Sequence, residues 1–450
     1  MNKLLLNFGV LLATISIPCV VHSGPQDEVL QVLTDPISQF TNNLLIESGD
    51  GGRAPISLLE AEVGQAFAST PTVLQTINAD RRLRAQLEGL EAQGLPQVSL
   101  TVSGGKQSYF DEGPDGNVDT TTLAVTQKVY DFGSLSSAIE EKKLANESVR
   151  YDDQQIKADV ANDLVKARLG LFLAERQWEL AELNVKLREN FSRYMDRRFE
   201  LGSISKADLY RVQSQLAAAK FQLPDAQTDL SIARNRYKEL YGISSPAGML
   251  FEHPSFESNS DVSGVIFSHP VYLSAFNRLN AAKSRFDSIN GEKYGRFDLN
   301  GSWSSDESLT SGRTKAAEAR ISYSVSLFDG GGFDSRIDEA ETAVVEATYE
   351  LDRLERQLRQ QLDSSYTRLL NSVSKKASAS EHLRSTIQSS DAITRLYLYD
   401  RASLDDVLTV QNDLVRAAGD LIRATHDESV AYYDLLSTSG KLNLMFQPYL

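Results

Sequence analysis

The chain contains itself twice. Sliding the sequence by 198 positions lays VYDFGSLSSAI, from Val129, on LFDGGGFDSRI, from Leu327. The same shift lays FELGSISKADLYRVQSQL, from Phe199, on YLYDRASLDDVLTVQNDL, from Tyr397, without a gap. Val212, Gln213 and Leu216 meet Val410, Gln411 and Leu414, and Gly242 meets Gly440. Upstream the offset becomes 199, pairing Ser69 and Pro71 with Ser268 and Pro270. A repeat holding register over about a hundred residues is a duplicated structural unit rather than a solenoid repeat. Whatever one half folds into, the other must fold into as well.

Each half carries two segments of strand-like alternation. Val98, Leu100 and Val102 oppose Ser99, Thr101 and Ser103, an apolar face against a hydroxyl face with the period of two that marks a strand. Leu123, Val125 and Val129 then oppose Thr122, Ala124, Thr126 and Lys128, with Gln127 interrupting the apolar face. In the second half Phe297, Leu299 and Trp303 oppose Asp298, Asn300 and Ser302; Ile321, Tyr323, Val325 and Leu327 oppose Ser322, Ser324 and Ser326. The link YFDEGPDGNVD between the first two is rich in turn residues. Each strand is about ten residues long, the length that crosses a bilayer at a tilt. A soluble sheet would need a second apolar layer, and nothing else in the chain offers one. The polar faces are mostly short Ser, Thr, Asp and Asn, suited to a water-filled lumen. Aromatics at the strand ends (Tyr109, Phe110, Tyr130, Phe132, Trp303, Phe328) fit interfacial belts. Because four strands cannot close a barrel of at least eight, the membrane reading demands an oligomer.

A long helix follows each strand pair. Residues 134–198 contain no proline and one glycine, Gly170, with Ile156, Val160, Leu164, Ala167 and Leu171 at helical spacing and Leu183, Leu187 and Phe191 beyond. At 1.5 Å per residue that run reaches roughly 97 Å. The second copy has Leu351, Leu354, Leu358, Leu362, Tyr366 and Leu369. Helices of this length must pack as a coiled coil or tube. Both reverse at matched turns, LGSISKADL and YDRASLDDV, and return to Gly242 and Gly440. Ser205 and Ser403 stand three residues before Asp208 and Asp406, a capping spacing with an acid in the first helical turn. Pro224 predicts a kink in the first return helix, whereas its counterpart Ile422 does not. From Pro55, apolar residues at Leu59, Val63, Phe67, Val73, Ile77, Leu83 and Leu87 predict a helix interrupted near Pro71.

The N-terminus has the layout of a secretory signal: a charged start, the apolar LLLNFGVLLATISIP, and VVHS, predicting cleavage after Ser23. Cys19, the one cysteine, could instead be acylated, but Ile17 and Pro18 lack the small side chains such processing wants. No later run of eighteen apolar residues exists, so no membrane-spanning helix is expected. A net charge of −15 argues against nucleic acid as partner.

These features together resemble the TolC family, the outer membrane efflux and secretion channels, over about Pro55 to Leu444. The duplication, the strand exits VYDFG and LFDGG, and the turns FELGSISKADLYRVQ and YLYDRASLDDVLTVQ carry the resemblance. It implies a duplicated α+β membrane protein, a homotrimer in which each chain gives four strands to a single 12-stranded barrel continued by a helical coiled-coil tunnel across the periplasm. Val98, Leu100, Leu123, Val125, Leu299, Trp303, Tyr323 and Val325 are the expected barrel-strand residues. On the family pattern Asp208, Tyr397, Arg401 and Asp406 are candidates for the periplasmic gate and constriction. Thr409 stands where a second acid is expected, and Ala402 replaces an arginine, with Asp400 in the place of the turn glycine. Asp208 and Asp406 also read as solvated helix N-termini, and Tyr397 as packing.

Chemistry is sparse elsewhere. Asp131, Phe132 and Gly133 spell a kinase tripeptide without its companions, and Gly330, Gly331 and Gly332 lack a following Lys-Ser/Thr. Five histidines, at 22, 253, 269, 382 and 426, show no ligand spacing, and Arg81, Arg82 and Arg84 read as a solvated face. No enzyme, cofactor or metal is expected. The organisation expected is a signal at 1–23, an extension or loose linker at 24–54, repeats at 55–242 and 261–440 joined by a linker at 243–260, and a tail at 441–450. The expected function is a passive outer-membrane exit working with outer-membrane lipid, a periplasmic adaptor and an inner-membrane transporter. Type I protein secretion is favoured over a small-molecule efflux pump for drugs, dyes or metals. A periplasmic coiled-coil structural protein is the alternative from another class.

Overall fold

A computed structural model describes residues 37–49, 53–107, 116–244, 246–253, 262–308, 312–442 and residue 445. The expected signal, Cys19, Tyr109, Phe110, residues 24–36 of the expected 24–54 extension and nearly all of the tail beyond Leu442 lie outside the described residues. Along the chain come α1 (37–47), α2 (Ile56–Ser69), α3 (Pro71–Glu91), β1 (Gln97–Gln107), β2 (Gly116–Tyr130), α4 (Ser134–Glu200) and α5 (Lys206–Tyr241). The second half gives α6 (Val262–Phe267), α7 (Pro270–Glu292), β3 (Arg296–Ser308), β4 (Gly312–Ser324), α8 (Gly332–Leu398) and α9 (Leu404–Thr438). Among the described residues no helix is long and apolar enough to cross a membrane.

The duplication is visible in the backbone. Eight of the ten left-handed positions among the described residues come in repeat-related pairs: Phe132 and Gly330 (φ 54° and 73°), Gly133 and Gly331 (88° and 90°), Gly202 and Asp400 (70° and 53°), Gly242 and Gly440 (both 69°). Pro71 and Pro270 each open a helix at its first turn, where a missing N–H costs nothing. Both long helices, α4 and α8, have 67 residues, about 100 Å at 1.5 Å each. Helix α5 continues through Pro224 to Tyr241.

The four strands form one antiparallel meander in chain order. Val98 faces Val125, then Gly301, then Ala319; Leu100, Leu123, Trp303 and Ala317 make the next row; Gln127, Leu299 and Ile321 another. Tyr130, Phe297 and Tyr323 close this face at one end. On the reverse run Ser99, Ala124, Ser302 and Glu318, then Thr101, Thr122, Ser304 and Ala316, then Ser103, Thr120, Asp306 and Thr314. The alternation of each strand therefore adds up, across the sheet, to one apolar and one polar face. The apolar face is uncovered: Val98 and Leu100 are both 66% exposed and Val102 70%. Trp303 lies in mid-strand rather than at an end. Strand β4 spans Gly312–Ser324, so Val325, expected within it, is the first residue past its end, and Leu327 lies further out.

Two compact units divide the chain: residues up to Leu45 with Trp178–Ala226 and Glu381–Asp420, and Ile46–Gln177 with Gln227–Ser380 and Leu421–Leu450. In each unit α4 and α9 are central. In the second, Asn162 and Lys166 of α4 bond Asp434 of α9 at 3.0 and 2.6 Å, Arg234 of α5 pairs with Glu175 of α4, and Lys376 of α8 with Glu428 of α9. In the first, Arg188 of α4 donates to Gln411 and Asn412 of α9 at 2.9 and 2.6 Å, and Lys220 of α5 pairs with Glu189. Helices α5 and α8 are the edges of the layer and stay largely exposed, Phe221 on α5 at 80%.

The described parts of 24–54 and of 243–260, expected as a loose extension and a linker, are docked. Residues 37–47 form a helix whose Ile37, Thr41, Leu44 and Ser48 face is buried in the chain. Two of those four positions carry hydroxyls, which hid the amphipathic pattern. Within 243–260, Phe251 forms a parallel bridge with Ala54, whose N–H donates to the Leu250 carbonyl at 2.8 Å. Beside it Arg53 donates to Glu428 and contacts His253 Nε2, both at 2.7 Å, and Lys376 also reaches Glu428 at 2.7 Å. Two cations round one carboxylate satisfy a cluster that would be costly unpaired. The His253 ring stacks on Tyr432 at 4.4 Å.

Candidate functional site

The hairpin ends share one construction. In the first, Gly202 N–H donates to Phe199 O and Ser203 N–H to Arg198 O; in the second, Asp400 N–H donates to Tyr397 O and Arg401 N–H to Leu396 O. This is the double closure that ends a helix with a left-handed residue. Glycine meets that requirement freely, and Asp400 is one of the residue types that tolerate it.

Both return helices begin with a reciprocal cap. Ser205 Oγ accepts from Asp208 N–H at 3.1 Å while the Asp208 carboxylate accepts from Ser205 Oγ–H at 2.8 Å and its N–H at 3.3 Å. Ser403 and Asp406 repeat this at 3.2, 2.7 and 3.0 Å. The hydroxyl and then the backbone N–H of Ser403 hold the Asp406 carboxyl below its ordinary range. The capping reading of the two acids is thus realised, and it leaves the exposed Asp406 carboxylate charged at the hairpin end.

Beneath the turns Phe191, Met195, Leu209, Val212, Tyr397, Val407 and Leu408 form a core, with Ala402 packed against it. Tyr397 is a buried member: its hydroxyl donates to Met195 Sδ at 3.2 Å, its ring lies 6.2 Å from Phe191, and burial pushes its pKa up. Arg401 is exposed. Two pairs absent from the sequence reading bridge the hairpins. Arg198 donates to Asp400 at 3.0 Å with its guanidinium 5.6 Å over the Tyr397 ring, and Arg211 donates to Asp405 at 2.6 Å. The signal was available, since opposite charges sit at matched turns, but register alone does not say which turn residues meet.

In the second unit, the strand residues named from the sequence occupy the apolar face, Val325 excepted. The sheet shows an uncovered apolar face backed by Ser, Thr and Asp, in a chain whose helices are far too long for one globule. This defines a class: a channel wall built of strands and continued in helices.

A family model described as outer membrane efflux protein matches residues 63–242. Outer membrane efflux protein BepC of Brucella suis is 23% identical over 361 residues, 77% of each chain. Alkaline protease secretion protein AprF of Pseudomonas aeruginosa is 24% identical over 352 residues, 74% of this chain and 70% of AprF. Among solved structures, outer membrane protein VceC from Vibrio cholerae is similar with a TM-score of 0.77 at 14% identity, over 85% of this chain and 96% of VceC. Over most of its length the chain is similar to outer membrane efflux proteins, the TolC-type channels that the hairpin motifs resemble. Its fold class is that of the trimeric channel-tunnels, with four strands per chain. The family consists of passive outer membrane channels extending into the periplasm and is not an enzyme family.

Proposed function

We propose that three copies assemble into the exit duct of a tripartite export system, and that its cargo is a protein carried by a type I secretion route. One observation carries the channel: four strands in register with an apolar face outward and a hydroxyl face behind, suited to lipid on one side and water on the other. A meander of four leaves β1 and β4 as open edges running in opposite directions, so copies can join edge to edge. The exposed α5 and α8 edges offer the same opportunity in the helical layer. The energy comes from an inner-membrane transporter reached through a periplasmic adaptor.

The preference for protein cargo is supported by the similarity to AprF, named for alkaline protease secretion. The name of BepC supports the second reading, efflux of small molecules. In this reading the tethered turns are the periplasmic gate: Asp208 and Asp406 fix the helix starts, Tyr397 holds the core under them, and Arg401 stands at the exposed tip. The remaining organisation follows the repeats, 55–242 and 261–440, after a leader at 1–23.

Comparing proteins outside cells with and without this chain tests the cargo. Loss of one large secreted protein, with its accumulation inside, is the expected result. An unchanged set of exported proteins together with dye or metal accumulation would reject secretion in favour of efflux.

A further inference from the structure

We propose that residues 325–328 are the end of β4, and that they become strand only against β1 of a neighbouring copy, in the register that β2 and β3 already show within the chain. The inference rests on the assembled channel proposed above.

The two hairpins have one register. Val98 facing Val125 maps through the repeat onto Phe297 facing Tyr323, and Gln107 facing Gly116 maps onto Asp306 facing Thr314. Their second strands, β2 and β4, nevertheless differ in length. Strand β2 runs to Tyr130, and its last part pairs with β3 alone, because β1 starts at Gln97 opposite Thr126. The repeat counterparts of Gln127–Tyr130 are Val325–Phe328, which follow β4 without regular structure; Leu327 is 92% and Phe328 89% exposed. What they lack is the strand that β3 supplies to β2. The counterpart of β3 on that side is β1 of another copy, and the β1 edge stands exposed along its length.

Carrying the inner seam across gives the outer one residue by residue. Gln127 facing Leu299 becomes Val325 facing Leu100, and Val125 facing Gly301 becomes Tyr323 facing Val102. Tyr130 facing Phe297 becomes Phe328 facing Val98, and the bulge at Val129 falls on Leu327. The chemistry of these pairs was not used to derive them, and it agrees. The apolar face continues through Val325 with Leu100 and Tyr323 with Val102. The polar face continues through Ser322 with Ser103, Ser324 with Thr101 and Ser326 with Ser99. A slip of one residue would set serines against leucine and valine. Because Gly330 and Gly331 turn the chain into α8 directly afterwards, closing the seam also fixes where the second long helix begins.

The test uses cysteine pairs in the full chain, oxidised mildly in purified protein and in membranes. Facing residues of an antiparallel seam lie about 4.5–5.5 Å apart at Cα, within disulfide reach, whereas positions offset by two lie about 7–8 Å apart. Val325→Cys with Leu100→Cys should give a covalent trimer on non-reducing gels, and Val325→Cys with Val102→Cys little. Assembled trimers linked through the offset pair instead would overturn the register. A chain that stays monomeric in membranes would overturn the channel reading itself. Hydrogen exchange on the unmutated protein reads the same point: protection at 325–328 in the trimer supports the proposal, and exchange as fast as in an exposed loop rejects it.

Discussion

His253 ties stability to pH. Burial first, then the charges of Arg53 and Lys376, push its pKa down to about 3, against about 6.5 in an unfolded chain. Between those values the unfolded chain takes up a proton that the folded ring refuses, so stability is complete above pH 6.5 and falls as pH drops. From pH 6.5 to 5 the loss is on the order of 2 kcal/mol. His269, held down to about 4 by burial while its Nδ1 accepts from Val271 N–H, adds a share of the same sign. Melting curves at pH 5 and 7.5 should therefore differ less for His253→Gln, which keeps an acceptor for Arg53; an unaltered difference would reject this assignment. Asp406 raises a separate matter, since its carboxylate both caps α9 and carries charge. Asp406→Asn preserves an acceptor for the cap and removes the charge. The purified channel is expected to lose cation preference with its melting curve kept, and an unchanged reversal potential would take Asp406 away from the ion path.

The tethers between hairpins belong to the helices rather than to any one side chain. Arg198–Asp400 and Arg211–Asp405 are surface pairs, each worth about 0–1 kcal/mol, while the core around Tyr397 carries the stability of the turns. Replacing both arginines by alanine should leave the melting temperature within a few degrees yet raise the open fraction in bilayer recordings. Silence in those recordings would mean that the resting state is held elsewhere. The sequence made much of this architecture legible. Period-two alternation marked β1 through β3, a proline-free run marked α4, leucines at helical spacing marked α8, and Ser three residues before Asp marked both caps, because each is a local rule. Helix α1 escaped because Thr41 and Ser48 share its buried face, and the Arg–Asp tethers because charge pairing depends on distance in space. Val325 was placed in a strand by its alternation, and alternation cannot tell whether the partner strand belongs to the same chain.

For the assembly as a whole, the exposed faces of α5 and α8 make a prediction that does not depend on the strands. Phe221→Asp should leave the chain folded, since the side chain has no core to lose, and should prevent trimers from forming. Light scattering that still reports trimers would place Phe221 away from the contact between copies. The register of the sheet has one more consequence. In the row through Val98 and Val125 the residue reached on β3 is Gly301, four positions beyond Phe297, the repeat counterpart of Val98. Strand number and stagger together set strand tilt and barrel radius. Three of every four ladders of the finished pipe are thus gauged inside a single molecule, and a seam that takes its register from β2 and β3 adds the fourth, so a lipid of different thickness can change how deep the pipe sits but not how wide it is.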